Sequence, residues 1–390
     1  MCLLDNVGPT HCLEIWEMNK HCMCYLLATF FIWVIVIGAD PIAAEDSFHV
    51  YAPSRSTQEL LVIGAEVGQA GCEFKLSERV PLGFAGATVC RHPKKAVLYV
   101  APSKTQWVGA KSITPGAMVR LHESGTYESV NAVALKHGYA YMSVDKTGMF
   151  LLGSNYHEGQ LDVYRLKPDG SIGEHVVTVD EGRKNAHCIL TSPNNRFLYV
   201  PYVKQTNALF QYTFNSETGQ VLAMTPKNAG PPEGTGPRHI AYHPLLPIVY
   251  FSNEQHVGVS VYDQKSTGQL AFKQLCDVLP RSQSKEGLSA SDLVITPDAK
   301  FLFSAIRGRR QNFDQLAGYR VQEDGTLNLL GLTETEGVPW GMSLSPDGRY
   351  LLVSCFEGES LLGYEIASDG SLEKVARLEL PKYISDLVTF

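Results

Sequence analysis

The sequence predicts an all-β protein, a seven-bladed β-propeller with a composite first blade closed by the C-terminal strand. Three observations lead there. First, one hairpin phrase recurs: HPKKAVLYV from position 92, KTGMFLLGS from 146, SPNNRFLYV from 192, HPLLPIVYFS from 243, TPDAKFLFS from 296 and SPDGRYLLVS from 345. With Pro93, Lys146, Pro193, Pro244, Pro297 and Pro346 as phase markers, the intervals are 53, 47, 51, 53 and 49 residues. A period near 50 in strand-rich sequence is that of a four-stranded blade. Second, each unit carries a later echo, such as LDVYRLKPDGSI from 161 or LLGYEIASDGSL from 361, in which an alternating strand ends in Tyr and runs through a Gly turn into another strand. Third, the two ends are complementary fractions. The stretch from Phe48 to Val80 supplies three strands and YISDLVTF supplies one, so joining them completes a blade and removes two open sheet edges.

In chain order, the elements begin with a leader. Residues 24–39, CYLLATFFIWVIVIGA, form a 16-residue apolar run with Lys20 before it and Asp40, Pro41 and IAAED after it. Basic, apolar, then small is the order of a signal peptide, and the run is short for a bilayer span. The expected division is 1–44 as a signal peptide with a leading extension and 45–390 as the propeller. Met18 is an alternative start and an uncleaved membrane anchor is the alternative fate. Export to the periplasm or the medium follows, with no stable membrane insertion once the leader is removed. Each later unit reads as inner strand, Pro turn, apolar strand, loop, Tyr strand, Gly turn and outer strand. No helical periodicity of useful length follows residue 45.

Composition narrows the function classes. The chain is 44% hydrophobic and 19% charged with a formal net charge of −7, and it has no Lys/Arg run, which excludes a nucleic-acid binder. Beyond the leader, Cys72, Cys90, Cys188, Cys276 and Cys355 are widely spaced with no C-x-x-C pair, which speaks against a disulfide framework or a zinc site. They read as small core residues. No His/Asp/Glu set has metal spacing and no G-x-S-x-G elbow is present, so neither a metal, a cofactor nor serine-hydrolase chemistry is expected.

Chemistry in a propeller collects where matched positions of every unit converge on the axis. Six residues before each marker and ten after it are equidistant from the turn and belong to one mouth of the central channel. The first phase gives Ala87, Ala140, His187, Arg238, Ser291 and Trp340; the second gives Ser103, Tyr156, Val203, Glu254, Arg307 and Phe356. Taken singly, His187 reads as a structural histidine, Glu254 as a loop charge, and Arg307 with Arg309 and Arg310 as a solvated cluster. In phase, on adjacent blades, the four ionisable groups read as a site. A Glu beside a His divides acid and base roles, and two Arg clamp an anion bidentately. Asn155, Tyr156, Lys204, Asn253 and Trp340 are expected to complete substrate binding at the same mouth. Strand alternation sends His239 to the face opposite Arg238, as a packing or supporting residue.

The stretches NYHEGQLDVY, NAHCILTSPNNRFLYVPYVKQ, GTGPRHIAYHP with YFSNE, and SPDGRYLLVS resemble the lactonase family of seven-bladed propellers. That family includes the cycloisomerase-type 6-phosphogluconolactonases and the fungal carboxy-cis,cis-muconate cyclases. The resemblance covers roughly 48–390, with G-P-R-H and the following N-E as its most specific parts. It implies the same four residues, His187, Glu254, Arg238 and Arg307, as the catalytic set. One motif departs: where the family commonly has P-R-G, this chain has Pro339, Trp340 and Gly341, which is expected to weaken binding of a second anion. The function expected is hydrolysis of a small acidic sugar lactone. A muconate-type cyclase and a non-catalytic propeller that binds peptide or glycan are the alternatives.

Overall fold

The computed structural model describes residues 47–68, 71–280, 284–308 and 312–390; the segment read as a leader lies outside them. Seven four-stranded antiparallel sheets follow one another as blades. Blade 1 takes Ser47–Ser54, Glu59–Gly68 and Gly71–Pro81 from the front of the chain and Val388–Thr389 from its end. Tyr51 pairs with Val388 and Val50 with Thr389, and His49 and Phe390 exchange N–H···O bonds of 3.0 and 2.9 Å. The composite blade is therefore formed as the two fractional ends require. The innermost strands of the other blades begin at Thr88, Tyr141, Leu190, Pro237, Ser289 and Pro339.

The recurring phrase folds as it does because its first residue caps the turn. Ser192, Thr296 and Ser345 accept hydrogen bonds through their hydroxyl oxygens from the N–H groups of Phe197, Phe301 and Tyr350 at 3.1, 3.1 and 2.9 Å. In the two His-Pro turns the imidazole does the same work: Nδ1 of His92 and of His243 each accepts a backbone N–H at 3.0 Å. The Gly turns have a second duty. Tyr99, Tyr199 and Tyr250 donate to the carbonyls of Gly170, Gly268 and Gly325 at 2.6, 2.5 and 2.8 Å, tying each blade to the outer turn of the next. At Gly268 (φ +87°) an added Cβ would lie 2.2 Å from the Phe197 ring, so no larger residue fits there.

Hydrophobic burial is divided among the blade interfaces. Each of seven apolar clusters joins two neighbouring blades, for example Leu152 and Val163 of blade 3 with Leu198 and Val200 of blade 4. All five cysteines beyond the leader are free and buried. Because every sheet packs face to face with its neighbours, the inner strands are left to meet at the axis with side chains too few to fill it. That is where a cavity opens.

Two features depart from the expectation. A short hairpin, Trp107–Val108 with Lys111–Ser112, is inserted in blade 2 and belongs to no repeat position. The register about each Pro turn is also one residue tighter than equal spacing supposes: Ile240 pairs with Phe251, so uninterrupted pairing would set Arg238 opposite Asn253. Bulges then interrupt the innermost hairpin at the same place in three blades, between Pro237 and Ile240, Ala290 and Leu293, and Pro339 and Met342.

Candidate active site

The axial cavity has a volume of about 430 Å³. His187, Arg238, Glu254 and Arg307 all line it, with Tyr156, Lys204 and Trp340. Glu254 Oε2 lies 3.2 Å from Arg238 Nε and 3.5 Å from Arg307 Nη2, so one carboxylate joins blades 5 and 6 through two guanidinium groups. Arg307 Nη2 is anchored on the Ala290 carbonyl at 3.0 Å. Arg238 is fully buried and neither of its Nη atoms has a hydrogen-bond partner among the described residues. Two buried guanidinium nitrogens without a hydrogen-bond acceptor, with their Cζ 5.8 Å from the centre of the Trp340 ring, form a place for oxygen atoms of a ligand.

His187 stands on the neighbouring blade 4, its ring 5.1 Å from that of His239. Its ring lies edge-on to Tyr156, centroids 5.6 Å apart, and its backbone N–H is fixed on Pro201 O at 3.0 Å. Burial first, then the charges of Arg238, His239 and Arg307, holds the imidazole well below its ordinary pKa. At neutral pH it is therefore a neutral ring able to accept a proton. Lys204 Nζ stands 5.3 Å from the centre of the Tyr156 ring.

Two of the expected residues are elsewhere. Asn155 is fully buried below the mouth, where its Nδ2 donates to Gly138 O at 2.7 Å and its Oδ1 accepts from Glu158 N at 2.6 Å. Asn253 turns its Nδ2 to Ser260 Oγ at 2.7 Å. Both shape the loops that carry Tyr156 and Glu254, and neither lines the cavity. Asn155 follows the end of the strand Phe150–Ser154, and Asn253 is the last residue of the strand Ile248–Asn253.

His239 corrects the alternation argument in the other direction. The bulge at Pro237–Ile240 turns both Arg238 and His239 into the cavity. Asp386 and Tyr141 also line it. The signal that could have found them is the next phase along, five residues before the marker. That phase holds Tyr141, His239 and Asp292 in blades 3, 5 and 6, and Asp386 stands in the same Ser-Asp-Leu-Val phrase as Asp292. The two carboxyls are driven apart. Burial pushes Asp386 up to about 7 against the Val89 N–H bond. For Asp292 burial also pushes upward, but the neighbouring His239, the hydrogen bond to it and the Met342 N–H outweigh this and hold the carboxyl below its usual range.

Arg55 was not foreseen either, because it lies in blade 1, which carries no marker. It lines the cavity, donates to Ser385 Oγ at 2.9 Å and stands 5.6 Å over the Phe356 ring. Phe356 in turn stacks on Trp340 at 4.4 Å. A cation from blade 1 thus stands one aromatic ring away from Trp340.

The family described as lactonase, 7-bladed beta-propeller, matches residues 87–384. The chain belongs to that lactonase family. It is a lactone hydrolase by that membership, and relatives agree with it. A 6-phosphogluconolactonase of Klebsiella pneumoniae is 32% identical over 283 residues, which is 72% of this chain and 80% of the relative. Among solved structures, a periplasmic gluconolactonase of Pseudomonas aeruginosa superposes with a TM-score of 0.76 at 21% identity, covering 88% of this lactonase and 99% of that chain. A putative 6-phosphogluconolactonase of Bacteroides uniformis gives 0.76 at 17% identity, covering 89% and 100%. At those identities the two structures speak for the fold.

Proposed function

We propose that this lactonase hydrolyses a small anionic sugar lactone in the axial cavity, with His187, Glu254, Arg238 and Arg307 as its catalytic residues. The observation that carries the reading is the Glu254 carboxylate held between two arginines in the same cavity as a neutral imidazole. His187 takes a proton from water as its oxygen attacks the lactone carbonyl. The developing oxyanion is met by the unused donors of Arg238 and by Arg307. The C–O bond then opens and the ring oxygen leaves with a proton, giving the hydroxy acid. Glu254 keeps both guanidinium forks aligned and is the second group able to exchange a proton with the substrate.

An anionic substituent is read by three further cations of the cavity. Arg55, Lys104 and Lys204 line the cavity, and burial pushes the Arg55 guanidinium down to about 10. Its Nε is buried without a hydrogen-bond partner among the described residues. The relative from Klebsiella is a 6-phosphogluconolactonase, and a phosphate is one anion these cations suit. Arg55→Gln is expected to raise KM about 10- to 100-fold for 6-phosphoglucono-1,5-lactone, the range of a charge-assisted hydrogen bond. KM for glucono-1,5-lactone should stay unchanged. Equal effects on both lactones in steady-state hydrolysis would remove the anion assignment, and absence of hydrolysis of any lactone on a small panel would remove the activity.

The leader belongs to the same reading: export with cleavage near Ala44, in keeping with the periplasmic Pseudomonas neighbour. No helix of the described residues is long and apolar enough to cross a membrane. N-terminal sequencing of protein from the native host should find a start near Glu45; an intact Met1 or Met18 form in the cytoplasm contradicts it.

A further inference from the structure

Two imidazoles of the cavity wall carry nitrogen atoms with nothing to bond. His239 Nδ1 is 2.6 Å from Asp292 Oδ1, and Asp292 is itself fixed by the N–H groups of Met342 and Leu293, each at 2.9 Å. His239 Nε2 is buried with no hydrogen-bond partner among the described residues, and so is His187 Nδ1. The two rings adjoin, with centroids 5.1 Å apart and planes tilted by 59°. Buried polar atoms without partners are rare and ask for a reason. A pair of them on neighbouring rings suggests one: a hydrogen bond between the two rings would satisfy both.

We infer that Asp292, His239 and His187 form a carboxylate–imidazole–imidazole relay, in which His239 is a positioning residue that sets the tautomer of His187 and takes over its charge during turnover. The inference rests on the reading of His187 as the proton acceptor. The tautomers follow from the carboxylate inward. An ionised Asp292 accepts only, so His239 must carry its proton on Nδ1 and offer a lone pair at Nε2. His187 must then carry its proton on Nδ1, which leaves the lone pair on Nε2 free for water.

The proton accounting closes. As the water oxygen bonds to the lactone carbon, one water proton passes to His187 Nε2 and the Nδ1 proton of His187 passes to His239 Nε2. Ring opening returns a proton by the same path from His187 Nε2 to the leaving oxygen. The benefit is electrostatic. His187 is faced by Arg238, Arg307 and His239, all of which oppose a positive charge on it. His239 is faced by Arg238 on its own strand, Arg307 and Asp292 of blade 6, His187 of blade 4 and the edge of Tyr141 of blade 3 at 5.1 Å. Only there does an aspartate stand beside the imidazole to receive the charge.

The test is steady-state hydrolysis of glucono-1,5-lactone across pH by His239→Phe and Asp292→Asn, with His187→Gln as the reference and gluconate binding and thermal melts alongside. His239→Phe keeps an aromatic ring but accepts no proton. It is expected to lower kcat about 10- to 1000-fold with KM nearly unchanged. The acid limb of kcat/KM should move to lower pH, because His187 alone between two arginines is harder to protonate; a purely structural role would not move that limb. Asp292→Asn offers an amide N–H to the imidazole, allows the wrong tautomer and should lower kcat by about 10²- to 10⁴-fold. His239→Phe with undiminished kcat and an unmoved acid limb overturns the relay, and it does so alone if Asp292→Asn fails to fold. If His187→Gln is inactive in that same series, the base assignment survives without the relay. If His187→Gln is fully active, the assignment of His187 falls and the relay with it.

Discussion

Deleting residues 383–390 is expected to lower the unfolding free energy by about 3–6 kcal/mol and to abolish lactone hydrolysis. Ile384 and Leu387 are each 2% exposed in the interface between blades 7 and 1, and burial of one such side chain contributes about 1.5–3 kcal/mol. The same eight residues latch three blades. Asp386 accepts from Thr88 Oγ1 and Val89 N at 2.8 and 2.9 Å, Ser385 Oγ donates to Ala87 O at 2.7 Å, and Thr389 Oγ1 donates to Leu344 O at 2.8 Å. Removing them bares the inner edge of Ser47–Ser54 and invites association. Ser385 and Asp386 are also cavity wall, so stability and activity should fall together. Chemical denaturation decides: a truncated chain with the full-length midpoint and slope contradicts the closure.

The second large effect is catalytic. Glu254→Gln and His187→Gln keep side-chain size while removing proton-accepting capacity, and each should lower kcat about 10²- to 10⁴-fold. The two should differ in KM. Glu254 compensates two guanidinium groups, so its neutral replacement leaves a net positive wall that binds anions more tightly and holds KM level or lowers it. His187 makes no such pair, and its replacement should leave KM close to the wild-type value. Melting temperatures should change little for His187→Gln, because the His187 side chain lines the cavity. Near-normal kcat in both variants would remove Glu254 and His187 from the catalytic set.

Much of this protein is legible in one dimension because a propeller is a period. The Pro and Gly turns, the Tyr strand and the complementary ends each follow from local chemistry: a hydroxyl or imidazole cap before the turn, alternation in the strand, a positive φ at Gly. Since every unit repeats the same path, equal phase means equal height on the axis, and that alone brings His187, Arg238, Glu254 and Arg307 to one cavity wall. The sequence by itself thus determined the architecture, the closing strand and the converging charges. Tertiary structure decided the rest. The bulge between Pro237 and Ile240 brings His239 into the cavity beside Arg238, because an extra residue in a strand reverses its alternation. Arg55 and Asp386 come from the two halves of blade 1, which have no marker and find their place only when the ring closes. Asn155 and Asn253 turn to the loops because their amides are needed to satisfy backbone and hydroxyl groups there. Phase sets height on the axis; hydrogen bonding and bulges set which way a side chain points.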